Sequence, residues 1–432
     1  MINIIIAIMF AVLIYTIIGC IPGTDETSVL YPISFALIIS GVDKYTLIAF
    51  FLASIVTLNI MNLMPSMLLS LPGGVLSMPM IDSANFIKQK NESNKAIRYM
   101  GKSAIIGANI SVIVGLILCK LLSGFSQDIV NRYIGYFFIF GAIFLSLISK
   151  NKLVSLLSIL PISFLFMAFR HFYWAISIVP EGKNITSSFF LAITMGPLCV
   201  SLFELTNKDI REQNAVSEKS KIVIKEEKID HSLPKNILKS VSLASFISSF
   251  LFFLSPVSLL ILSKDFFGRG NNEKDAHLEK LSVMSAMAQS TYISGITISL
   301  FGLLVAVSPA ALGPAGAFFV DGKSIFEGIE FNEIVFLSII TVFVTSIITY
   351  LLLSRFVFKI IKFVSIYISH ESVLALFVSI VALLSYMEGG IINTICVFLI
   401  GFVCGNLTKI GVNLGVIFMS LYASPYLLKF FM

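Results

Sequence analysis

Pro65 to Asp82 reads PSMLLSLPGGVLSMPMID, and Gly302 to Asp321 reads GLLVAVSPAALGPAGAFFVD. The two stretches follow one plan. In each, an apolar run is broken by a small residue and a proline, Ser70-Leu71-Pro72 in the first and Ser308-Pro309 in the second. Two small residues follow (Gly73-Gly74, Ala310-Ala311), then a further small residue beside a proline (Ser77 and Pro79, Gly313-Pro314), then an aspartate at the exit (Asp82, Asp321). Helix breakers inside membrane-like sequence free backbone N–H and C=O groups that lipid cannot satisfy, so such segments must face protein or a wet cavity. Paired breaks in corresponding halves of a chain are the pattern of transporter binding sites.

Composition sets the surroundings of these breaks. Of 432 residues, 57% are apolar and 12% charged, against about 25% charged in soluble domains. The mean hydropathy is +0.96. An integral membrane protein follows, with multiple passes through the cell membrane, and the length allows about ten to twelve crossings at about 20 residues each. The net charge of +6 is gathered in a few polar segments, as cytoplasmic loops facing anionic lipid require, and implies no nucleic-acid partner. Cys20, Cys119, Cys199, Cys396 and Cys404 are scattered singly through apolar runs, the pattern of packed small hydrophobes rather than metal ligands or disulfides. The N-terminal run lacks a basic n-region and reads as a retained helix.

The positive-inside rule gives a direction to each segment. Phe86 to Ser103 carries Lys88, Lys90, Lys95, Arg98 and Lys102 against Glu92 and is placed in the cytoplasm. Alternation from there puts a turn near Gln127 to Arg132 outside, Lys150 and Lys152 inside, and Pro180 to Asn184 outside. Thr206 to Lys239, with eight basic and six acidic residues, is a cytoplasmic tether or a docking loop. It divides the chain into a first membrane repeat (1–205), a linker (206–239) and a second membrane repeat (240–432). Ile237 to Ser263 opens the second half, interrupted at Ser255-Pro256, and the polar segment Lys264 to Lys280 falls outside on the alternating map. Arg355, Lys359 and Lys362 return to the cytoplasm, Val373 to Met387 and Ile391 to Gly405 are separate spans, and Glu388-Gly389-Gly390 is a turn between them. The segment after Asp82 is then internal and the segment after Asp321 external. The expected fold is all-α and polytopic, with two inverted repeats that each hold a broken, re-entrant helical hairpin.

This arrangement bounds the chemistry. The broken core holds hydroxyls, amides and glycines but no basic residue, so an anionic or zwitterionic solute would be held by backbone and hydroxyl donors. The candidate solute-binding residues are Ser70, Gly73, Gly74, Ser77, Ser308, Ala310 and Gly313. Gly19-Cys-Ile-Pro22-Gly23-Thr24-Asp25-Glu26-Thr27-Ser28 reads either as a surface turn or as a helix interruption whose hydroxyls and carbonyls hold a cation neutralised by Asp25. Candidate ligands of a coupling Na+ or H+ are Thr24, Asp25, Asn59, Asn62, Gln289, Ser290 and Thr291. Small residues also line tight helix packing in membranes, and buried amides also join helices, so a packing role stands beside each assignment. GxxxxGK[ST], HExxH and GxSxG are all missing from the sequence, which leaves no ATP-driven pump, intramembrane hydrolase or other enzyme to argue for, and no cofactor.

With Gly19-Cys-Ile-Pro22-Gly23, Leu71-Pro72-Gly73-Gly74 leading to Asp82, and Pro309 leading to Val320-Asp321-Gly322, the chain resembles the large permease subunit of tripartite tricarboxylate transporters. That family has a Gly-x-Leu-Pro-Gly turn, an Ile-Pro-Gly hairpin ending in Asp-Gly and a second Pro-Gly hairpin ending in His-Gly. Here the segment before the second hairpin reads Met284-Ser-Ala-Met-Ala-Gln289-Ser290 in place of a Glu-x-x-Asn-Asn-rich one, and Pro309-Ala310 replaces Pro-Gly. The resemblance implies ion-coupled secondary uptake of carboxylates with a small membrane subunit and an extracytoplasmic binding protein. The other expected partners are membrane lipid, the organic anion itself and a second copy of the chain. The competing classes are a membrane scaffold or polysaccharide-handling protein, which needs a large external domain or clustered surface cations, and a passive channel, which needs a path open to both sides at once.

Overall fold

A computed structural model describes residues 2–21, 24, 26–69, 73–123, 127–178, 186–204, 233–254, 256–268, 272–320, 323–367 and 370–428. The described chain is helical apart from short turns and one two-residue antiparallel strand pair, β1 Phe319–Val320 with β2 Lys323–Ser324. A helix satisfies its interior peptide groups within its own segment, which is what lipid requires of an apolar span. Among the described residues six helices are long and apolar enough to cross a membrane, with Glu26–Ile39, Phe138–Ile148 and Leu414–Leu428 as shorter apolar ones.

Two helices form the centre. α3 (Lys44–Met61) is buried without interruption from Leu47 onward. The helix Glu273–Thr297, here α12, is buried from Leu281 to its end. A helix buried all round belongs to the core of a bundle, and each of these two leads directly into one of the broken stretches. Around them lie α1 (Ile2–Gly19), α2 (Glu26–Ile39), α6 (Ser93–Leu122), α10 (Lys235–Phe250), α11 (Pro256–Phe266) and α14 (Phe331–Tyr367). The lipid-facing positions of the outer helices are large and apolar, for example Ile5, Leu13, Ile117 and Phe343.

Side-chain pairs fix the relative directions. α6 and α12 run parallel: Lys274 pairs with Glu92 at their starts (2.8 Å), and the Cys119 thiol donates to the Thr297 carbonyl at their ends (3.2 Å). Between these points a Cβ on Gly107 would lie 2.8 Å from the Ala286 Cα, so the two backbones touch, as small residues permit in membranes. α14 runs against α6, with Asn109 donating to Ser346 (3.2 Å) and Gly101 packed on Tyr350. α3 runs with α14, joined by Tyr45 to Glu333 (2.5 Å) and by the Thr57 and Thr349 hydroxyls (3.0 Å).

These pairs overturn one part of the alternating map. Lys264 to Lys280 was expected outside and Phe86 to Ser103 inside, yet Lys274 meets Glu92 and the His277 ring stacks on Phe86 with centroids 4.3 Å apart. Both segments lie on one face. The physical reason is the break before Pro256. α10 runs parallel to α12, with Ser240 bonded to Glu279 (2.6 Å) and Ser248 to Ser290 (2.5 Å), so α11 must bring the chain back to the face where α10 began. Ile237 to Ser263 is apolar enough to count as one crossing, but it enters and leaves on the same side. The correction moves Lys274 and Lys280 to the face that already holds Lys88, Lys95 and Arg98, which is the distribution the positive-inside rule asks for.

A second group of helices flanks the core: α7 (Gln127–Ile148), α8 (Lys152–Ala175), α9 (Thr186–Glu204), α15 (His370–Lys409) and α16 (Leu414–Leu428). The expected turn near Gln127 to Arg132 is instead the start of α7. α15 is two helices folded back at Gly389 and Gly390, where φ of +71° at Gly390 admits little but glycine. The Asn393 amide donates to the Ser385 carbonyl (2.7 Å) across that turn, so the expected separation of Val373–Met387 from Ile391–Gly405 holds. Lys409 pairs with Glu204, and the Asn151 N–H donates to the Gly411 carbonyl (3.2 Å), which gathers Lys150, Lys152 and Lys409 on one face. The linker 206–239 and the loop Pro180 to Asn184 lie outside the described residues, except that 233–239 is described and Lys235 already begins α10.

Candidate functional site

The first broken stretch begins where α3 stops. Asn62 closes that helix through its N–H to the Leu58 carbonyl (2.8 Å), and Pro65 starts the one-turn helix α4 (Met64–Leu68). The last carbonyl of α4, on Leu68, accepts from Lys88 Nζ (2.9 Å), a cation closing a helix end. Ser70, Leu71 and Pro72 lie outside the described residues. The chain then bends at Gly73 and Gly74 and continues through a tight turn, Val75–Met80, into α5 (Ile81–Gln89). Ser77 holds the bend: its hydroxyl accepts from the Gly74 N–H (3.1 Å) and donates to the Gly74 carbonyl (2.8 Å).

The two glycines lie directly on the interruption between α1 and α2. A Cβ on Gly73 would sit 2.8 Å from the carbonyl carbon of Asn62 and still closer to its oxygen. One on Gly74 would sit 2.6 Å from Asn62 Nδ2, 2.7 Å from the Thr24 carbonyl oxygen and 2.9 Å from Glu26 Oε1. At the interruption, Thr24, Glu26 and Asn62 are each 5% exposed or less. The Asn62 amide donates to Glu26 Oε1 (3.1 Å) and to the Thr24 carbonyl (3.4 Å), which turns its Oδ1 to the Thr24 hydroxyl (3.0 Å). That hydroxyl also lies 3.4 Å from the Gly73 carbonyl oxygen.

The second stretch approaches the same place. α12 loosens into a π-helical turn, Ile298–Gly302, and Leu304 takes a left-handed backbone (φ +58°), a conformation costing a leucine on the order of 1 kcal/mol. Ser308 then caps the one-turn helix α13 (Pro309–Leu312) by accepting from the Ala311 N–H (3.1 Å). Ser308 packs on Gly295 of α12, whose Cβ would lie 2.7 Å from its hydroxyl. Gly313 faces Thr27 in the first turn of α2, and a Cβ there would lie 2.6 Å from Thr27 Oγ1. Phe318, on the way out, sets its ring edge-on to Phe51 of α3 at 4.6 Å. Asp321 and Gly322 lie outside the described residues, as do Asp25, Pro22 and Gly23.

The structure therefore brings Thr24, Asn62, Gly73, Gly74 and, through Thr27, Gly313 to the start of α2. Ala310 is buried in α13, one turn before Gly313. The other candidates part company. Gln289 donates to the Val56 carbonyl of α3 (2.9 Å), one turn before Asn59. Gln289 Oε1 and both amide atoms of Asn59 are buried with no hydrogen-bond partner among the described residues, a cost that invites a ligand or water. Ser290 is bonded to Ser248 of α10, away from α3, and the Thr291 hydroxyl is spent on its own turn at the Met287 carbonyl (2.9 Å). Glu26 and Thr27 stood in the sequence beside the candidates but were not singled out. The start of α2 is buried all round from Glu26 to Pro32, so no face of that helix marks the two residues, and only their contacts with Asn62 and Gly313 identify them.

A bundle with lipid-length helices and two broken segments meeting at a buried oxygen-rich interruption belongs to the membrane transport proteins. The family model of the tripartite tricarboxylate transporter TctA family matches residues 5–418, and the chain belongs to that family. It is thereby a multi-pass protein of the cell membrane and a component of a tricarboxylate transport system, as the resemblance led one to expect. No curated protein and no solved structure matches the chain.

Proposed function

We propose that the protein takes up a small organic anion, a carboxylate, by ion-coupled alternating access. The observation that carries this reading is the convergence of both broken stretches on the start of α2, Gly73 and Gly74 from one side and Gly313 from the other. Backbone N–H groups of the bends and the hydroxyls of Ser70 and Ser308 would receive the carboxylate, while Ser77, whose hydroxyl both accepts from and donates to Gly74, would shape the first bend. Thr24, Asp25, Asn59, Asn62 and Gln289 are left for the coupling Na+ or H+, and the partners taken by Ser290 and Thr291 make those two the weaker members of that set.

The two halves are proposed to be inverted repeats, each with one re-entrant hairpin, within ten to twelve crossings. Three features support this. The first bend is reached from the face of Glu92 and Lys274. The second is reached from the face where Lys44 Nζ donates to the Glu327 carbonyl (3.3 Å). Finally, α11 packs on the tight turn 75–80 while α2 packs on the turn 316–318, so each half lends a short helix to the other's hairpin. Rocking one half against the other around such a site would open it to alternate faces. The family adds a small membrane subunit and an extracytoplasmic binding protein as the partners that would deliver the solute.

The test is uptake by purified protein in liposomes, with labelled citrate and smaller organic acids and, where needed, the delivering binding protein. Accumulation of a carboxylate should require an inward Na+ or H+ gradient and stop when both are collapsed. Accumulation that persists without any ion gradient would remove the coupled mechanism, and no accumulation of any carboxylate would remove the substrate class.

A further inference from the structure

We infer that the interruption between α1 and α2 is a binding site for a monovalent metal cation of sodium size, with Glu26 as its charged ligand and the Gly73 carbonyl as the ligand contributed by the first broken stretch. As the seat of the coupling ion this rests on the transport reading above; as a cation site it rests on the following geometry.

The Thr24 hydroxyl carries one proton, yet four acceptor oxygens stand within 3.5 Å of it: the carbonyls of Ile21 (3.1 Å), Ile18 (3.5 Å) and Gly73 (3.4 Å) and Asn62 Oδ1 (3.0 Å). Only one of them can take that proton. The Asn62 amide cannot relieve the crowding by turning over, because its nitrogen faces two acceptors, Glu26 Oε1 and the Thr24 carbonyl. The Ile18 carbonyl already accepts from the Ile21 N–H (3.0 Å), which leaves the Thr24 hydroxyl, the Ile21 and Gly73 carbonyls and Asn62 Oδ1 as buried oxygens gathered around one proton, an arrangement that a positive charge among them would stabilise.

The donor set selects the ion. Hydroxyl, amide and backbone carbonyl oxygens with one carboxylate suit a hard cation. One carboxylate balances one positive charge, and no group of three or more His, Cys, Asp or Glu stands together among the described residues to favour a multivalent metal. Room for the ion depends on Gly74, since a Cβ there would come within 2.9 Å of Glu26 Oε1 and 2.7 Å of the Thr24 carbonyl. The ligands come from three elements: the interruption (Thr24, Glu26), the end of α3 (Asn62) and the first bend (Gly73). A bound cation therefore ties the bend to the core and sets Gly74 and Ser77 in place before the solute arrives.

The experiment is thermal unfolding of the purified full-length protein without any carboxylate, titrating NaCl against choline chloride at constant ionic strength. Sodium should raise the unfolding temperature saturably, because a ligand of the native state stabilises it. Thr24→Val, which keeps shape and loses the oxygen, and Glu26→Gln should each raise the half-saturating concentration at least about tenfold, and Thr24→Ser should respond like the parent. The inference is overturned if the parent shows no sodium-specific shift, if Thr24→Val keeps a full response, or if Asp25→Asn loses the response while Glu26→Gln keeps it. The Thr24→Val and Thr24→Ser pair decides the matter even where Glu26→Gln does not fold. A sodium shift in a protein that accumulates no carboxylate would leave the cation site standing and remove the transport reading. Uptake driven by protons alone, with no sodium shift, would do the reverse.

Discussion

Gly73→Ala is expected to lower carboxylate accumulation about a hundredfold while the protein still inserts and folds, the loss that follows from displacing a binding group by about 1 Å. The added Cβ would fall 2.8 Å from the Asn62 carbonyl carbon and 3.1 Å from its Cα. Both are backbone atoms, so no change of rotamer relieves the overlap, and the bend must lift away from α3. Overpacking of this kind costs about 1–3 kcal/mol, which a chain of this size can absorb, but the Gly73 carbonyl and Gly74 N–H no longer sit where Thr24 and Ser77 meet them. Gly115→Ala is the control. It lies on the tightly packed α6–α12 contact, but its Cβ meets nothing closer than the Ser294 Cα at 3.3 Å, so uptake should change less than about twofold. Accumulation by the vesicles, normalised to inserted protein, reads both.

Gly313→Ala should lower uptake about tenfold, equivalent to about 1.4 kcal/mol, and here the loss should be recoverable. The clash is with a side chain, since the new Cβ would lie 2.6 Å from Thr27 Oγ1 and 3.3 Å from its Cγ2. Thr27→Ala removes both atoms, so the double variant Thr27→Ala/Gly313→Ala should return to within about threefold of Thr27→Ala alone, a coupling that residues out of contact do not show. If the two losses simply multiply, the second stretch does not rest on α2.

Much of this arrangement can be read from the residues before any coordinates. Proline and paired small residues inside apolar runs mark both broken stretches, because no continuous helix accommodates Ser70-Leu71-Pro72 or Ser308-Pro309. The Gly389-Gly390 fold-back is equally plain, with apolar runs on either side of a pair that ends a helix. What escaped the sequence depends on rotation and direction. Glu26 is marked by its contacts with Asn62 and Gly74, and no periodic pattern announces them because α2 is buried all round from Glu26 to Pro32. Ser290 stands beside Gln289, but a step of 100° around α12 turns it to Ser248 of α10 instead of to α3. The side of the membrane reached by Lys264 to Lys280 hung on whether Ser255-Pro256 was a kink within one crossing or the tip of a returning hairpin. Hydropathy treats the two alike, and the Lys274–Glu92 pair distinguishes them.

The meeting of the two broken stretches at the start of α2 is tested most directly by a cross-link. Thr27→Cys with Gly313→Cys, in a chain carrying a protease site within the linker 206–234, places two thiols within disulfide reach. After oxidation in the membrane and cleavage of the linker, the two halves should stay joined on a denaturing gel and separate on adding reductant. Halves that separate without reductant, although both thiols react with a maleimide, would contradict the shared site.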